Sequence, residues 1–380
     1  MSKVLFVLHD ANRSGAQIFI LQLMQYLKFQ FNLKFEILLR NADGDLLDEY
    51  RSLADCHYWN IKHVSNRSSF LRSKIDSRKR ARAREELKAY LAGADFSLIY
   101  NNTITNGALI NELSFLKKPV LTHVHEMQHW IEKSGKKNLT FIKENTNLFI
   151  AVSNAVKNCL VNEYDVNPES VEVIYGFVNF EQIQKNKGIN SLKSLLKLPN
   201  DTIIIGACGA EIWRKGKDWF IPVAIDLLSD VNDHRVHFVW IGGSLNESLN
   251  FDLRMSGLKD RVHFIKHLPE ASTYFGDFKI FAMLSREDPF PLVNLEAAAQ
   301  GVPIITFDKN GGTRELVDKG IGITVPYGNL KKFADGIRSL LIDDMTYNRY
   351  KENAIEVIKN DHDISIIATE IHKVINRFNG

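Results

Sequence analysis

The chain has 380 residues, of which 45% are hydrophobic and 24% are charged, and its formal net charge is +3. The length suggests about two domains, and these globular averages exclude an intrinsically disordered chain. The small net charge does not by itself indicate a nucleic-acid partner, and no apolar run approaches the roughly 20 residues that span a bilayer.

Two features bear on the compartment of the protein. The opening stretch, MSKVLFVLHDANRSG, has the short apolar run of a signal peptide but lacks a small-residue cleavage site, so it is better interpreted as a first buried strand. The three cysteines, Cys56, Cys159 and Cys208, are widely spaced and form neither a disulfide nor a metal pattern. We therefore expect a cytoplasmic protein with reduced thiols.

Short apolar runs alternate with longer amphipathic stretches along the first half of the chain. The runs are KVLFVL, KFEILL, FSLIYNN, KPVLTHVH, LFIAVS and VEVIY, and a helix-like stretch, GAQIFILQLMQYLKF, follows the first. Strands that are almost continuously apolar indicate a parallel sheet covered by helices on both faces. This pattern predicts an N-terminal Rossmann-like domain over residues 1–178.

After a polar stretch, which predicts a linker near residues 178–190, the pattern starts again. The second series of strands is TIIIGACG, VHFVWIGG, VHFIKH, KIFAMLS, VPIITFD and GITVPY. It predicts a C-terminal Rossmann-like domain over residues 190–358, and ligands of such α/β domains bind at the carboxyl ends of the strands.

The tail, DISIIATEIHKVINRF, carries apolar residues at helical spacing. These residues are Ile364, Ile367, Ile371, Val374 and Phe378. The spacing predicts a helix with Asp363 as its N-cap, within a C-terminal segment that covers residues 359–380.

The segment SREDPFPLVNLEAAAQGVPIITFDKNGGTREL carries the strongest functional signal. A strand ends at Ser285, and a helix is predicted between Pro291 and Gly301, so the loop REDPFP lies where a helix amino terminus favours phosphate. Asp288 could accept hydrogen bonds from ligand hydroxyls, and Glu296 offers the two acceptors that suit a ribose diol. A surface loop with a capping acid is the plainer alternative.

This segment resembles the donor-site motif of family 4 of the retaining glycosyltransferases, whose fold, GT-B, has two Rossmann-like domains facing a central cleft. The motif is an acid, seven residues, a second acid, a helix of small residues, Gly-x-Pro, a strand and Gly-Gly-x-x-Glu. Here it consists of Asp288, Glu296, AAAQGVP, IITF, Gly311, Gly312 and Glu315, with Asp288 where the family usually has Glu.

The resemblance implies roles for several of these residues. Glu296 would hold the nucleotide ribose, and Asp288 would face the donor sugar. The N–H groups of Phe290 and Leu292 would also face the sugar, whereas Pro291 has no N–H to donate.

The stretch GACGAEIWRKGKDWFI has the order that the family shows before its diphosphate site: strand, basic loop, Gly, helix. The resemblance implies that Lys215, with Arg214, neutralises the donor diphosphate, because fixed cations stabilise the charge that the leaving group gains. Gly209 occupies a donor-binding position where many members have Arg. A solvated basic turn is the alternative.

Two stretches of the N-terminal half match the family more loosely. In HDANRSGAQ, only Ser14 and Gly15 stand where the family often has a phosphate-covering Gly-Gly pair, so Gly15 is a donor-binding candidate and an ordinary β–α turn is the alternative. In THVHEMQHW, the resemblance implies that His125 faces both the acceptor and the donor sugar. Asn12 and Glu126 are candidates for the acceptor side; a hydrogen-bonded loop histidine is the alternative for His125.

Residues 62–88 form a basic segment with ten Lys or Arg against three Asp or Glu, hence a local charge of about +7. Each basic residue at an anionic lipid surface contributes about 1 kcal/mol, so this segment is a candidate for membrane docking. RNA binding is disfavoured because aromatic residues are not interleaved, and a solvated helix and loop is the plain alternative.

Together these observations predict a metal-independent retaining glycosyltransferase without a cofactor. It would move a sugar from a nucleotide-sugar donor to a hydroxyl of a glycan or lipid-linked acceptor, in cell-surface polysaccharide or glycoconjugate synthesis. We expect it in the cytoplasm, with the inner membrane surface as a peripheral site. The alternatives are a nucleotide-sugar epimerase or hydrolase of the same fold, and a degenerate, non-catalytic protein that binds a nucleotide sugar, which Gly209 and the reduced Ser14-Gly15 loop favour.

Overall fold

In a computed structural model of the chain, residues 3–60, 70–230 and 233–378 are described, with side chains at all these positions except 70–78 and 230. The chain forms two compact units. Unit 1 contains the residues up to Val152, Val156–Ile174 and the residues from Ala368 on; unit 2 contains Ser153–Ala155 and Tyr175–Ile367.

Unit 1 is built on one parallel sheet. Its strands in the described part of the chain are β1 (Lys3–Leu8), β2 (Phe35–Asn41), β3 (Cys56–Asn60), β4 (Phe96–Asn101), β5 (Val120–Val124), β6 (Leu148–Ala151) and β7 (Val171–Val173). They lie in the order β3-β2-β1-β4-β5-β6-β7. The order reverses between β1 and β4, and the ligand crevice of such a sheet lies outside the carboxyl ends of the strands at this point.

Helices connect these strands. They are α1 (Gly15–Phe31), α2 (Leu47–Leu53), α3 (Phe70–Gly93), α4 (Gly107–Glu112), α5 (Gln128–Ser134), α6 (Lys136–Asn145) and α7 (Asn154–Tyr164). The six strands predicted in this half are confirmed, and β3 was missed. Its sequence, CHYWN, lies at the edge of the sheet and buries only Trp59, so it lacks the apolar run of a central strand.

A buried carboxylate stabilises this edge of the unit 1 sheet. Glu36 on β2 is 1% exposed and accepts hydrogen bonds from Lys3 Nζ at 2.7 Å, His57 Nε2 at 2.8 Å and the Tyr90 hydroxyl at 3.1 Å. Burial alone would raise the pKa of Glu36, but the bonds from Lys3, His57 and Tyr90 outweigh it, so the pKa lies below its ordinary value.

We expect Glu36→Gln to lower the free energy of unfolding at about pH 7 by about 1–3 kcal/mol, because an amide satisfies these donors less well. A depressed folded-state pKa means that the stabilisation is present above the unfolded-state pKa and is lost as the pH falls through the folded-state pKa. In urea titrations the difference between the variant and the wild type should therefore stay constant from about pH 7 down to the ordinary Glu pKa of 4.5, and should shrink at about pH 3.5, below that value.

The control is Glu86→Gln, which removes an exposed i,i+4 pair with Arg82 and should cost about 0.5 kcal/mol or less at either pH. Equal losses for the two variants, or a loss that does not depend on pH, would show that the Glu36 network is not a source of stability.

Unit 2 is built on a second parallel sheet. In the described residues its strands are β8 (Ile203–Cys208), β9 (Val236–Ile241), β10 (Val262–Ile265), β11 (Phe278–Met283), β12 (Ile304–Phe307) and β13 (Gly322–Val325), in the order β10-β9-β8-β11-β12-β13. All six strands were predicted. The core beside β8 and β9 is aromatic: the ring of Phe220 meets those of Phe238 and Trp240 edge to face.

The helices of unit 2 are α8 (Phe180–Asn186), α9 (Leu192–Leu196), α10 (Lys217–Asp230), α11 (Glu247–Met255), α12 (Leu292–Ala299), α13 (Thr313–Val317), α14 (Leu330–Ile342) and α15 (Asp344–Asp361). A final helix, α16 (Ile364–Asn376), begins in unit 2 and continues in unit 1. Helix α10 packs against α14, and α12 packs against α15. Asp363 accepts a hydrogen bond from the Ser365 N–H at 2.9 Å, which confirms the predicted N-cap of α16.

The boundaries of the units differ from the predicted domain boundaries. The polar stretch proposed as a linker, residues 178–190, contains α8 and belongs to unit 2. Gln184 Nε2 donates to the Ala299 carbonyl at 2.6 Å, and Lys187 Nζ donates to the Gln300 carbonyl at 2.9 Å, so polar contacts rather than an apolar face attach this segment.

Two predictions concern membranes. Within the residues that the structure describes, no helix is long and apolar enough to cross a bilayer. Residues 62–69 of the basic segment lie outside the described residues. Its described side chains lie on α3, where Lys79, Arg80 and Arg82 are exposed.

Candidate functional site

The switch point of the unit 2 sheet lies between β8 and β11. Two loops follow the carboxyl ends of these neighbouring strands, residues 209–216 before α10 and residues 284–291 before α12. Parallel α/β sheets bind ligands at this point, and both loops carry the residues that the sequence selected.

Four polar side chains meet here; we call Arg214, Lys215, Ser285 and Asp288 the donor-site cluster. Lys215 Nζ lies 2.6 Å from Asp288 Oδ2, and Arg214 Nη1 lies 3.3 Å from Asp288 Oδ1. The Ser285 hydroxyl donates to Asp288 Oδ2 at 3.0 Å. The cluster therefore joins the basic loop to the acidic loop through a single carboxylate.

Asp288 is an ionised carboxylate despite its burial, since only 3% of the residue is exposed. Burial raises its pKa, but the charges of Lys215 and Arg214, with the hydrogen bonds from Lys215 and Ser285, lower it further than burial raises it. The two cations are thus held in place by a buried anion.

The glycine pair of the motif supports the Asp288 loop. The Asp288 N–H donates to the Asn310 carbonyl at 2.6 Å, and the Gly312 N–H donates to the Asp288 and Pro289 carbonyls at 3.2 and 3.1 Å. A Cβ on Gly312 would lie 2.3 Å from the Pro289 carbonyl oxygen, so position 312 admits only glycine.

Glu296 lies on α12 and is half-buried. Among the described residues, no hydrogen bond or ion pair to its carboxylate is found, and burial raises its pKa to about 7. The carboxylate lies near Cys208 at the end of β8: burial first, and then Glu296, raise the pKa of that thiol to about 12, whereas Lys215 lowers it. An unpartnered carboxylate thus faces the same strand end as the cluster.

The Leu292 N–H is the first amide of α12 and has no intrahelical acceptor, and the Phe290 N–H lies just outside the helix, before the N-cap residue. Pro291 is the N-cap residue, as its position at the predicted helix start suggested. The ring of Phe290 is held against those of Tyr175 and His362 at centroid distances of 5.3 and 5.5 Å.

Two glycines, Gly209 and Gly216, permit the backbone path of the basic loop. A Cβ on Gly209 would lie 3.3 Å from the aliphatic stem of Lys215, so the absence of a side chain at 209 leaves room for that lysine. Gly216 has a φ of +71°, and its Cβ would lie 2.1 Å from the Leu284 carbonyl oxygen. The loops before α10 and α12 therefore touch backbone to backbone at Gly216.

Sequence reasoning assigned no role to Arg286 or Lys217. The Arg286 guanidinium forms two hydrogen bonds with Asp218, at 2.8 and 2.6 Å, and lies 3.9 Å from the centroid of the Trp219 ring. Lys217 Nζ is 6% exposed and donates to the Ser244 carbonyl and to Glu211. The sequence shows only charged and aromatic residues near one another here, which does not indicate these pairings.

Glu315, the last residue of the motif, has a different position. It accepts hydrogen bonds from the N–H groups of Asn154 and Ala155, at 2.9 and 2.8 Å, and from the Tyr175 hydroxyl at 3.0 Å. Its carboxylate therefore serves the first amides of α7, where negative charge is favourable.

In unit 1, His125 and Glu126 follow β5. His125 Nε2 donates to Asn102 Oδ1 at 3.1 Å, and burial, with the nearby His9, lowers the His125 pKa to about 3. Glu126 accepts from the Ile104 and His125 N–H groups, at 3.2 and 3.0 Å, and from the Thr103 hydroxyl. Burial raises the Glu126 pKa to about 7. His125 is thus a neutral imidazole, and both Glu126 oxygens are used within unit 1.

The loop after β1 holds Asn12 and Gly15, which are both exposed. The Asn12 N–H donates to Asp10 Oδ1 at 3.1 Å, and Gly15 begins α1 with open space around it. These two candidates lie at the carboxyl end of a strand beside the switch point of the unit 1 sheet. Among the described residues, no three His, Cys, Asp or Glu side chains lie together as a metal site requires.

Two family models match the chain. The model for group 1 glycosyl transferases matches residues 181–357, and the model for glycosyltransferase family 4 matches residues 13–182. Together they cover residues 13–357, which include every strand of the two sheets except β1.

Curated relatives match parts of the chain. The Staphylococcus aureus capsular polysaccharide biosynthesis glycosyltransferase CapM is 25% identical over 240 residues, 60% of this chain and 61% of CapM. A D-inositol 3-phosphate glycosyltransferase of Corynebacterium diphtheriae is 26% identical over 226 residues, 57% of this chain and 53% of that protein. The chain thus spans less than two thirds of the length of these relatives.

Solved structures share the whole fold. Anabaena HepE, solved in complex with UDP, has a TM-score of 0.79 at 18% identity and covers 99% of this chain and 100% of its own. WaaG, a glycosyltransferase involved in lipopolysaccharide biosynthesis, has a TM-score of 0.72 at 14% identity. With the two family models matched, this protein belongs to the group 1, family 4 glycosyltransferases and has their two-domain GT-B fold.

Proposed function

We propose that the protein is a retaining glycosyltransferase that transfers a sugar from a nucleoside diphosphate sugar to an acceptor hydroxyl. The observation that carries this proposal is the donor-site cluster at the switch point of unit 2, with Lys215 and Arg214 already converged on a buried carboxylate. Two fixed cations at a strand end suit a diphosphate, and the free amides of α12 add donors for anionic or hydroxyl oxygens.

Glu296 completes the donor site in this proposal. Its carboxylate has no partner among the described residues and offers two acceptors to a ribose diol. Asp288, already bonded through both oxygens to the cluster, orients Lys215 and Arg214 and limits how far the sugar can enter.

The transfer balances without a protein nucleophile. The anomeric C–O bond of the donor breaks, and the nucleoside diphosphate leaves with the bonding electron pair. The acceptor oxygen bonds to the anomeric carbon on the same face, and its proton passes to a diphosphate oxygen. Lys215 and Arg214 stabilise the charge that develops on the leaving group, so the chain supplies positioning and electrostatics without requiring a metal.

The acceptor and the place of action are also proposals. CapM is named for capsular polysaccharide biosynthesis and WaaG for lipopolysaccharide biosynthesis, which favours a glycan or lipid-linked acceptor in cell-surface polymer synthesis. The exposed cations of α3 favour a peripheral contact with anionic lipid at the cytoplasmic face.

The test is a thermal-shift panel with UDP, GDP, ADP and dTDP, followed by turnover of the matching sugars with and without acceptor. Because HepE was solved with UDP, UDP comes first. We expect one nucleotide to stabilise the protein by about 2.7 kcal/mol at about 100 times its dissociation constant. Sugar release should depend on the acceptor, and NMR of the product should show the donor's anomeric configuration.

Each of the other possible outcomes would contradict one part of the proposed function. Consumption of the donor without acceptor would favour an epimerase or hydrolase, and inversion at the anomeric carbon would overturn the retaining mechanism. A nucleotide shift without turnover of any sugar would favour the degenerate binding protein, and no shift with any nucleotide would overturn the proposed donor site.

A further inference from the structure

We infer that Arg286 is a positioning residue that clamps the loop before α10 to the loop before α12, and so sets Arg214 and Lys215 for the diphosphate. The inference rests on the proposed function, and it concerns a residue outside the acid-x7-acid motif. Among the described residues, no hydrogen bond or ion pair joins Arg286 to Asp288; the Arg286 guanidinium bonds instead to Trp213 and Asp218.

Three of the five N–H groups of the Arg286 guanidinium donate to the preceding loop and helix. Nη1 donates to the Trp213 carbonyl at 2.7 Å and to Asp218 Oδ1 at 2.8 Å, and Nη2 donates to Asp218 Oδ2 at 2.6 Å. Its side chain is only 9% exposed, and the bond from Arg286 is the largest influence lowering the Asp218 pKa. The Asp218 side chain is 49% exposed, but a two-bond pair with a nearly buried guanidinium holds a loop better than an exposed single-contact ion pair does.

Two indole rings hold the same guanidinium. Its central carbon lies 3.9 Å from the Trp219 centroid and 4.8 Å from the Trp213 centroid. The Trp219 ring in turn meets Phe307 and Tyr327 edge to face, so this side of the stack is anchored in the core of unit 2. A planar, delocalised cation suits both contacts, whereas an ammonium group has no face to stack.

The clamp is connected to the donor-site cluster through the backbone. The Arg286 N–H donates to the Arg214 carbonyl at 2.7 Å, and Arg214 Nη1 returns a bond to the Glu287 carbonyl at 3.0 Å. Trp213, Arg214 and Lys215 form one turn of 3-10 helix, so a shift of the Trp213 carbonyl moves both cations. Arg286 therefore fixes the distance between the cations and the amino end of α12.

The chain offers a matched pair without this connection. Arg235 binds Asp233 through two parallel hydrogen bonds, at 3.0 and 2.8 Å, next to the amino end of β9. The chemistry is that of Arg286 and Asp218, but the pair lies at the opposite end of the strands from the donor-site cluster. Arg235→Ala is therefore the control for loss of an Arg–Asp fork as such.

The experiment measures how much the second phosphate contributes to binding. Calorimetry gives the dissociation constants of UDP and UMP, or of the diphosphate and monophosphate of whichever base binds, and their ratio reports the diphosphate contact. Arg286→Ala should lower the UMP-to-UDP ratio of dissociation constants about tenfold, and Arg286→Lys about threefold, because both lose part of the fork and the stack. Arg235→Ala should leave the ratio unchanged.

The outcomes separate this inference from the proposed function. If no nucleotide binds the wild type, the proposed function fails and the clamp fails with it. If the wild type binds and Arg286→Lys, folded by circular dichroism, keeps the wild-type ratio, Arg286 is a purely structural residue and the inference is overturned. In a Lys215→Ala background, Arg286→Ala should change the ratio less than it does in the wild type, since Arg214 is then the one cation of the cluster left to position; full additivity would also overturn the inference.

Discussion

Replacing Lys215 by alanine is expected to lower kcat by roughly 10²–10³-fold, the usual effect of removing one donor that stabilises developing charge. Lys215 Nζ is the shortest contact to Asp288 in the donor-site cluster, at 2.6 Å, against 3.3 Å for Arg214. In the proposed mechanism, its loss removes a cation from the leaving diphosphate; it also leaves Asp288 with one counter-charge. Steady-state rates with the donor and acceptor identified by the panel would check this.

The matched control is Lys319→Ala. Lys319 Nζ lies 2.7 Å from Asp361 Oδ2 in a partly exposed pair on the same unit. Such a pair contributes about 1 kcal/mol or less to stability, and we expect kcat to stay within about twofold of the wild type. A Lys215→Ala protein that is folded and keeps a comparable kcat would remove Lys215 from the chemistry.

Glu296→Gln is expected to move stability and nucleotide affinity in opposite directions. The folded-state pKa of Glu296 is raised to about 7 by burial, so between the ordinary value of 4.5 and about 7 the folded state binds more protons than the unfolded state. Stability therefore falls as the pH rises through that window, and the cost persists above it. The neutral amide of the variant avoids this loss in the free energy of unfolding, which at about pH 8.5 is on the order of 1–3 kcal/mol.

Affinity should fall in the same variant. A carboxylate offers two acceptors to a diol and an amide offers one, so the dissociation constant of the bound nucleotide should rise by about 10-fold or more. Thermal unfolding of the free protein at about pH 8.5 and about pH 5 measures the first effect, and calorimetry measures the second. At the lower pH the free-protein stabilities of variant and wild type should converge.

The control for Glu296 is Glu352→Gln, since Glu352 lies exposed on α15. This substitution should change neither the stability of the free protein nor its affinity for the nucleotide. A Glu296→Gln protein that binds nucleotide as tightly as the wild type would exclude Glu296 from the ribose contact, and one that is less stable at the higher pH would show that the ionised carboxylate has a partner.

Most of the fold could be predicted because parallel strands are buried on both faces and appear as continuous apolar runs. β1 and β9 bury nearly every residue, and both were found. β3 was missed because an edge strand needs little apolar surface. The segment that contains α8 was interpreted as a linker because polar side chains, rather than an apolar face, attach it to the rest of unit 2. Apolar periodicity carries no signal in either case.

The sequence could select candidate residues for the site but not the contacts between them. The sequence places Asp288 and Lys215 at strand ends, and the neighbouring positions of β8 and β11 explain why they meet. The partner of Arg286, by contrast, lies 68 residues away and depends on the course of the loop. Glu315 belongs to the motif by spacing, yet its bonds to Asn154 and Ala155 appear only in the folded chain.

The polypeptide passes from one unit to the other four times, after Val152, Ala155, Ile174 and Ile367. A chimaera that fused the first 174 residues of one homologue to the remainder of another would therefore mix parents inside both units. Its Glu315 would meet the Ser153–Ala155 segment of the wrong parent, and its first unit would end with a foreign stretch of α16. To exchange donor specificity between such enzymes, Ser153–Ala155 must come from the parent that supplies the rest of unit 2. The residues from Ala368 on must come from the parent that supplies unit 1.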